Sequence, residues 1–304
     1  MNPRVDTSAS QSLSPCENTA ARVQNEAHRL LADSAIELST NGETTIRKAA
    51  EILLPGTRVF VPKMPTQTLD DKLFQIRILK EVGLDPVPHI VARQLTAEEE
   101  LRGFLNRAVA EGGVDRVLVI GGDGFNPAGP FRDAAAVLAS GLLREAGIRK
   151  VSVGGYPDGH PQIPESVLRS DLQNKMEIAR AEGIDLSIVT QFSFSPENIV
   201  EYCDSIGSWA PGIPVYAGLA GPTSPAQLLR FAKICGVSMS LKGANRLGLN
   251  ALKLASNGGP DGQVDKLAQS RVADLARNLA GIHLFSFGGF VSSSEWLRNR
   301  SRVS

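Results

Sequence analysis

Short apolar runs rich in β-branched residues recur along the chain, and amphipathic, turn-bounded stretches separate them. The clearest unit lies in 151–194. An apolar run at 151–153 leads into an amphipathic segment at 164–182, and a second apolar run follows at 186–189. This spacing predicts a strand, a crossover helix and a second, parallel strand. Repeating the test along the chain predicts strands over 34–39, 58–62, 86–91, 115–120, 151–153, 186–189, 213–217 and 282–287. Helices are predicted over 20–32 and then over 44–54, 70–82, 96–111, 131–146, 164–182, 196–206, 224–235, 264–280 and 293–300. Local signals set several boundaries: Pro55-Gly56 stops one helix and Gly83 caps the next. Thr96 opens a helix with Glu98–Glu100 in its first turn, and Ser224 is an N-cap with Pro225 at the first helical position. The segment 237–262, broken by Gly243, Gly248 and Gly258-Gly259, reads as helical pieces in a covering loop.

Strict alternation of strand and helix allows a doubly wound sheet or a closed barrel. Eight units in 304 residues favour a single-domain (β/α)₈ TIM barrel, which takes roughly 250 residues. No G-x-G-x-x-G follows the first strand, which removes the main support for a Rossmann domain. The predicted organisation is a loose Ser-, Asn- and Pro-rich tail over 1–18, then a barrel over 19–304 that carries an extra N-terminal helix.

Composition narrows the function classes. Hydrophobic residues make up 42% and charged ones 21%, which suits a globular core. Lys plus Arg and Asp plus Glu both total 32, so no net charge points to nucleic acid or anionic lipid. Cys16, Cys203 and Cys235 have no metal-ligand spacing and read as incidental thiols in a reducing compartment. No apolar run reaches a membrane span, and the N-terminus lacks the apolar stretch of a secretory signal. A cytoplasmic protein with a small-molecule partner and no metal is expected, with homo-oligomerisation left open.

In a barrel the site is built at the C-terminal strand ends. Reading round, these ends carry Glu37, Pro62-Lys63, His89, Asp123, Tyr156 with His160, Gln191, Tyr216 and the segment from Phe287. Glu37 reads as a catalytic carboxyl group or as a carboxylate capping backbone or paired to Lys63. Asp123 in G-G-D-G is a site residue or a turn former. Gln191 can read an amide-like ligand edge or bond the backbone. Asp171 and Asn174, three apart on one helix face, either hold a cofactor or solvate the helix.

These residues carry a resemblance. Y-P-D-G-H-P at 156–161, S-D-L-Q-N at 170–174, E-G-I-D at 182–185 and T-Q-F-S-F at 190–194 resemble segments of methylenetetrahydrofolate reductases. That family shows Y-P-x-x-H-P, D-x-x-N, A-G-A-D and T-Q-x-F-F in the same order. Pro88-His89, Gly122-Asp123, the P-V-Y-A-G-L from 214 and the A-I-E-L from 35 extend the resemblance, which covers roughly 34–236. It implies a barrel that reduces 5,10-methylenetetrahydrofolate to 5-methyltetrahydrofolate with NAD(P)H, NADH being favoured, and FAD across the strand ends. It implies that Glu37 is the general acid for the folate nitrogen, and that Asp123 is a catalytic and substrate-binding residue. Gln191 and Tyr216 would also bind the substrate, while His89, Gly122, Tyr156, His160, Asp171 and Asn174 would hold the cofactor. A carboxyl group enclosed by barrel walls suits the acid role, because removal from water favours the protonated form.

The departures concern the cofactor. Gly121 stands where the family has the arginine of R-G-D, and Glu177 and Ile178 stand where its basic residues face the flavin diphosphate. Pro62 replaces a threonine, and 237–262 holds no counterpart of the family's M-F-D-G. Losing the cations removes attraction for a diphosphate and adds repulsion. Three readings follow: FAD held by a rearranged set or lost easily, a flavin-independent reductase or paralogue acting on a related one-carbon carrier, and a non-catalytic folate-binding barrel.

Overall fold

Parallel strands covered by helices are buried on both faces, so their sequences run apolar without clean alternation. Eight such strands close into a barrel in a computed structural model that describes residues 15–39, 42–63, 67–124, 126–224, 226–227, 230 and 259–302. They are β1 (Ala35–Glu37), β2 (Arg58–Val61), β3 (Asp85–Val91), β4 (Arg116–Ile120), β5 (Lys150–Gly155), β6 (Asp185–Thr190), β7 (Val215–Ala220) and β8 (Leu279–Phe285). Each pairs in parallel with its chain neighbours, and β8 closes onto β1 through Ala35↔His283 and Ile36↔Leu284. This is the (β/α)₈ TIM barrel that the alternation predicts.

The helices in chain order are α1 (Pro15–Ala32), α2 (Glu43–Ala50), α3 (Leu69–Glu81), α4 (Glu98–Gly112), α5 (Ala134–Ala139) and α6 (Leu142–Glu145), then α7 (Glu165–Glu182) and α8 (Pro196–Trp209). Past 258 they continue with α9 (Asp261–Val272) and α10 (Phe290–Ser301). Outward strand residues such as Ile36, Val59, Val117 and Ile282 pack with the helices into one large core. Inward ones, Ala35, Phe60, Val87, Leu118, Val189 and Tyr216, fill the barrel. Among the described residues no helix is long and apolar enough to cross a membrane.

Element boundaries depart from the pattern where tertiary partners outweigh local preference. The helix expected over 131–146 is split into α5 and α6 by Gly141, which is left-handed at φ 75°. The helix expected over 264–280 ends at Val272, and β8 begins at Leu279. Between them the Ala276 N–H donates to Asp204 Oδ1 at 2.7 Å, and Arg271 NH1 donates to the Ala276 and Arg277 carbonyls. Those tertiary contacts unwind a segment whose period is still helical. Thr96 lies outside α4, whose N-cap is Ala97; the Glu100 carboxylate instead accepts from the Thr96 N–H and hydroxyl at 2.6 and 2.7 Å. α1 begins at Pro15, ahead of the expected start at 20. Ser224 Oγ does accept the Gln227 N–H at 3.2 Å, while most of the helix expected over 224–235 and the loop from 237 to 258 lie outside the described residues.

Candidate active site

Side chains alternate along a strand, so Ala35 and Glu37 of β1 both face the barrel interior, Glu37 from the strand's last position. Its Oε2 lies 3.7 Å from Nε2 of His89 on β3 and 3.6 Å from Nε2 of His283 on β8. Both rings are buried, and the carboxyl side chain keeps 19% of its surface. Phe60 stands edge-on to both imidazoles, with ring centroids 5.9 and 4.5 Å away. The end of β1 is pinned by Ser286 Oγ, which donates to the Glu37 carbonyl at 2.6 Å and lies 2.7 Å from Ser39 Oγ. Among the described residues neither Nε2 has a hydrogen-bond partner, nor does His283 Nδ1. Burial, then the charges of Lys72 and His283, hold His89 well below the usual imidazole pKa. At neutral pH His89 is therefore a neutral ring beside Glu37 and not its counter-ion.

A second group gathers past β4 and β5. The Tyr156 ring sits edge-on to His160 at 5.3 Å. Burial raises the Tyr156 hydroxyl pKa, with Asp171 and Asp123 adding to the rise and Arg93 opposing it. Asp123 is exposed at the mouth, one residue after Gly122, whose φ is 88°. The loop that carries Tyr156 and His160 is tied to α8 through Asp158, which accepts from Ser193 Oγ at 3.1 Å and Asn198 Nδ2 at 2.6 Å. Gln191 follows β6 and uses Oε1 to accept the Phe192 N–H at 3.1 Å. Asp171 is ion-paired with Lys175, and Asn174 is exposed.

Tyr216 is the correction. The strand expected to end at 217 runs on to Ala220, because Gly218, Leu219 and Ala220 continue the parallel pairing with His283, Leu284 and Phe285 of β8. Tyr216 is thus the second residue of β7, and its hydroxyl reaches the N-terminal end of the barrel. There it donates to Asp33 Oδ2 at 3.0 Å and accepts from Arg58 NH1 at 3.3 Å. That places it at the face opposite the strand ends.

Three features lay outside the expected set, apart from Phe287, which stood among the strand-end candidates. His283 completes the enclosure of Glu37. Phe192, Phe285 and Phe287 form an aromatic wall, with Phe192–Phe287 centroids 4.9 Å apart and Phe285–Phe287 stacked at 5.7 Å. Phe287 holds a φ of 42°, a strained region for a bulky side chain. The signal for His283 and Phe285 lay in their alternate positions on one face of β8, with Phe287 just past the strand's end. The third feature is Arg93, whose guanidinium lies beside Gly121, with NH1 3.6 Å from where a Cβ would stand.

Whether the donor set fits a flavin diphosphate turns on its cations. Arg93 spends its guanidinium on the Arg132 and Gly122 carbonyls, at 2.9 and 2.6 Å. Lys175 is paired to Asp171. Glu177 faces solvent, and Ile178 packs against the core. Among the described residues these positions do not fit the diphosphate.

The fold and the site define the class: a TIM-barrel protein with a carboxyl–imidazole cluster at the C-terminal mouth. A sequence profile of the family described as Methylenetetrahydrofolate reductase matches residues 67–251, well over half of the chain, and the chain belongs to that family. It is 29% identical over 163 residues to the 5,10-methylenetetrahydrofolate reductase of Pectobacterium carotovorum subsp. carotovorum, covering 53% of this chain and 52% of that protein. The Salmonella typhimurium enzyme of the same description is 28% identical over 160 residues, covering 53% and 52%. Methylenetetrahydrofolate reductase 2 of Saccharomyces cerevisiae is 28% identical over 97 residues, covering 32% and 16%. The chain thus spans about half the length, or less, of these curated relatives. A solved structure with the same fold, at TM-score 0.56 and 12% identity, covers 90% of this chain and 96% of its own. It is an uncharacterised protein from Clostridium thermocellum, described as binding two copies of 5-methyl-5,6,7,8-tetrahydrofolic acid. Glu37 and His283 both fall outside the range 67–251 and meet His89 only because the barrel closes.

Proposed function

We propose that this chain reduces 5,10-methylenetetrahydrofolate to 5-methyltetrahydrofolate, with NAD(P)H as the hydride source. The observation that carries the reading is the Glu37 carboxyl group enclosed between His89 and His283 at the barrel mouth. Opening the five-membered ring of this substrate needs a proton on the departing nitrogen, and it leaves an iminium carbon that accepts hydride. Glu37 supplies the proton, and a dihydronicotinamide supplies the hydride. One proton and one hydride added to the substrate balance the methyl product and NAD(P)⁺. Phe285, part-exposed and backed by Phe192 and Phe287, offers a ring to a flat pterin. The Gln191 amide can serve its aminopyrimidinone edge once freed from the Phe192 N–H. The folate named for the structural neighbour supports the ligand class.

Gly121, Glu177 and Ile178 favour a refinement in which hydride passes directly from the nicotinamide to the iminium carbon. The test is NADH consumption by the purified protein with 5,10-methylenetetrahydrofolate, with and without added FAD. Turnover by a colourless preparation is expected, and no turnover under either condition overturns the reading. Glu37→Gln is expected to lower kcat by about 10²–10⁴-fold, the range of a general acid, with the circular dichroism spectrum unchanged.

A further inference from the structure

Among the described residues Lys72 is the only Lys, Arg, Asp or Glu that is buried, and its exposure is 0%. No carboxylate lies within ion-pair distance of it among those residues; the charge that acts on it is that of Lys63, of the same sign. From α3 its Nζ reaches the barrel wall and donates to the His89 carbonyl at 2.6 Å, passing 5.8 Å over the Phe104 ring of α4.

The ladder explains why that carbonyl is available. Pairing between β2 and β3 stops at Val61↔Pro88. The next carbonyl on that edge of β3 is His89's, and Lys72 takes it. An uncompensated buried ammonium costs stability, and an apolar side chain of similar length would pack there without that cost. Burial first, and Lys63 second, lower the Lys72 pKa to about 7. The fold does not account for the amine, but its one described hydrogen bond leads to the residue whose ring faces Glu37.

We propose that Lys72 is a positioning residue for the Glu37–His89–His283 cluster, anchoring the His89 backbone where the ladder stops and setting a titratable amine behind the imidazole. The groups that face it are Lys63 beyond β2, His89 on β3, with Glu37 and His283 behind that ring, and the Phe104 face on α4. The effect on turnover rests on the reductase reading above; the effect on His89 does not.

The experiment uses the full chain with Lys72→Met and Lys72→Gln. The chain has four histidines, so imidazole NMR resolves them, and a His89→Asn spectrum identifies the His89 signal. In Lys72→Met the His89 signal moves and its titration midpoint rises by about one pH unit, the effect of losing a nearby like charge. The variant melts at a higher temperature than the parent at pH 6, and the gain narrows by pH 9. Its kcat falls roughly tenfold to a hundredfold, the scale of a misplaced site. Lys72→Gln keeps a donor without the charge, so it recovers part of kcat while the His89 midpoint stays high. An unmoved His89 signal and midpoint in Lys72→Met overturns the proposal whatever the activity. A lower melting temperature at both pH values also overturns it, since Lys72 would then serve the fold. A parent protein without turnover removes the reductase reading and leaves the NMR comparison to decide on Lys72.

Discussion

His283 forms one wall of the Glu37 enclosure, and its ring also packs edge-on against Phe60 and Phe285 at centroid distances of 4.5 and 4.7 Å. His283→Asn therefore removes an imidazole from the carboxyl group and leaves a small cavity behind. Steady-state kinetics should show kcat lower by roughly tenfold or more with KM little changed, as expected for a group acting on the reacting atoms. Melting should show a loss of about 1–2 kcal/mol from the missing ring contacts. An unchanged kcat in the folded variant would remove His283 from the site. Glu37 and His89 were legible because each sits near a strand end in an otherwise apolar run. His283 was not, because it lies inside the last strand, where a histidine reads as a satisfied core residue. Tyr216 shows the opposite error: a ring near an apparent strand end turned out to stand at the strand's start. Both misplacements have one cause, since a shift of two or three residues in strand length moves a side chain between the two ends of the barrel.

At the scale of elements, β4 leaves the barrel through Gly121-Gly122-Asp123-Gly124, and the turn is steep. Gly122 has φ 88°, and a Cβ on it would lie 2.5 Å from Val91 Cγ1; Gly124 has φ 84° and nothing within 4 Å among the described residues. Val91 is buried and cannot swing away. Gly124→Ala should cost about 1–2 kcal/mol from backbone strain alone. Gly122→Ala should cost more, by about 1–3 kcal/mol, because an overpacking clash is added to the strain. Urea unfolding of the two variants measures the difference, and equal losses would contradict the close approach to Val91. The eight strands were legible as apolar runs because a parallel sheet is buried on both faces. The ends of helices were less so. Residues 273–280 keep helical spacing, yet Asp204 and Arg271 capture their backbone groups. That capture depends on α8 packing alongside, which no local pattern records.

For the whole molecule, closing the barrel sets two groups of side chains at opposite faces. The C-terminal mouth carries Glu37, His89, His283 and the loops bearing Tyr156 and Asp123. The N-terminal face is tied by Asp33, Arg58 and Tyr216, with Arg58 stacked 4.9 Å over the Tyr216 ring as well as bonded to its hydroxyl. Conservative changes at this lower face should affect stability and not turnover. Tyr216→Phe deletes one hydroxyl that bonds Asp33 and Arg58 and keeps the ring that fills the barrel. It should cost about 0.5–1.5 kcal/mol of unfolding free energy, the net worth of such a hydrogen bond. On the proposed reductase reading its kcat and KM should stay within about twofold of the parent, because the change lies at the opposite end of the barrel from Glu37. The informative comparison is with His283→Asn, since both residues line the barrel interior and their strands are adjacent. A Tyr216→Phe protein of unchanged stability whose kcat drops tenfold would mean that the substrate reaches through the barrel, and the division between the two faces would fail.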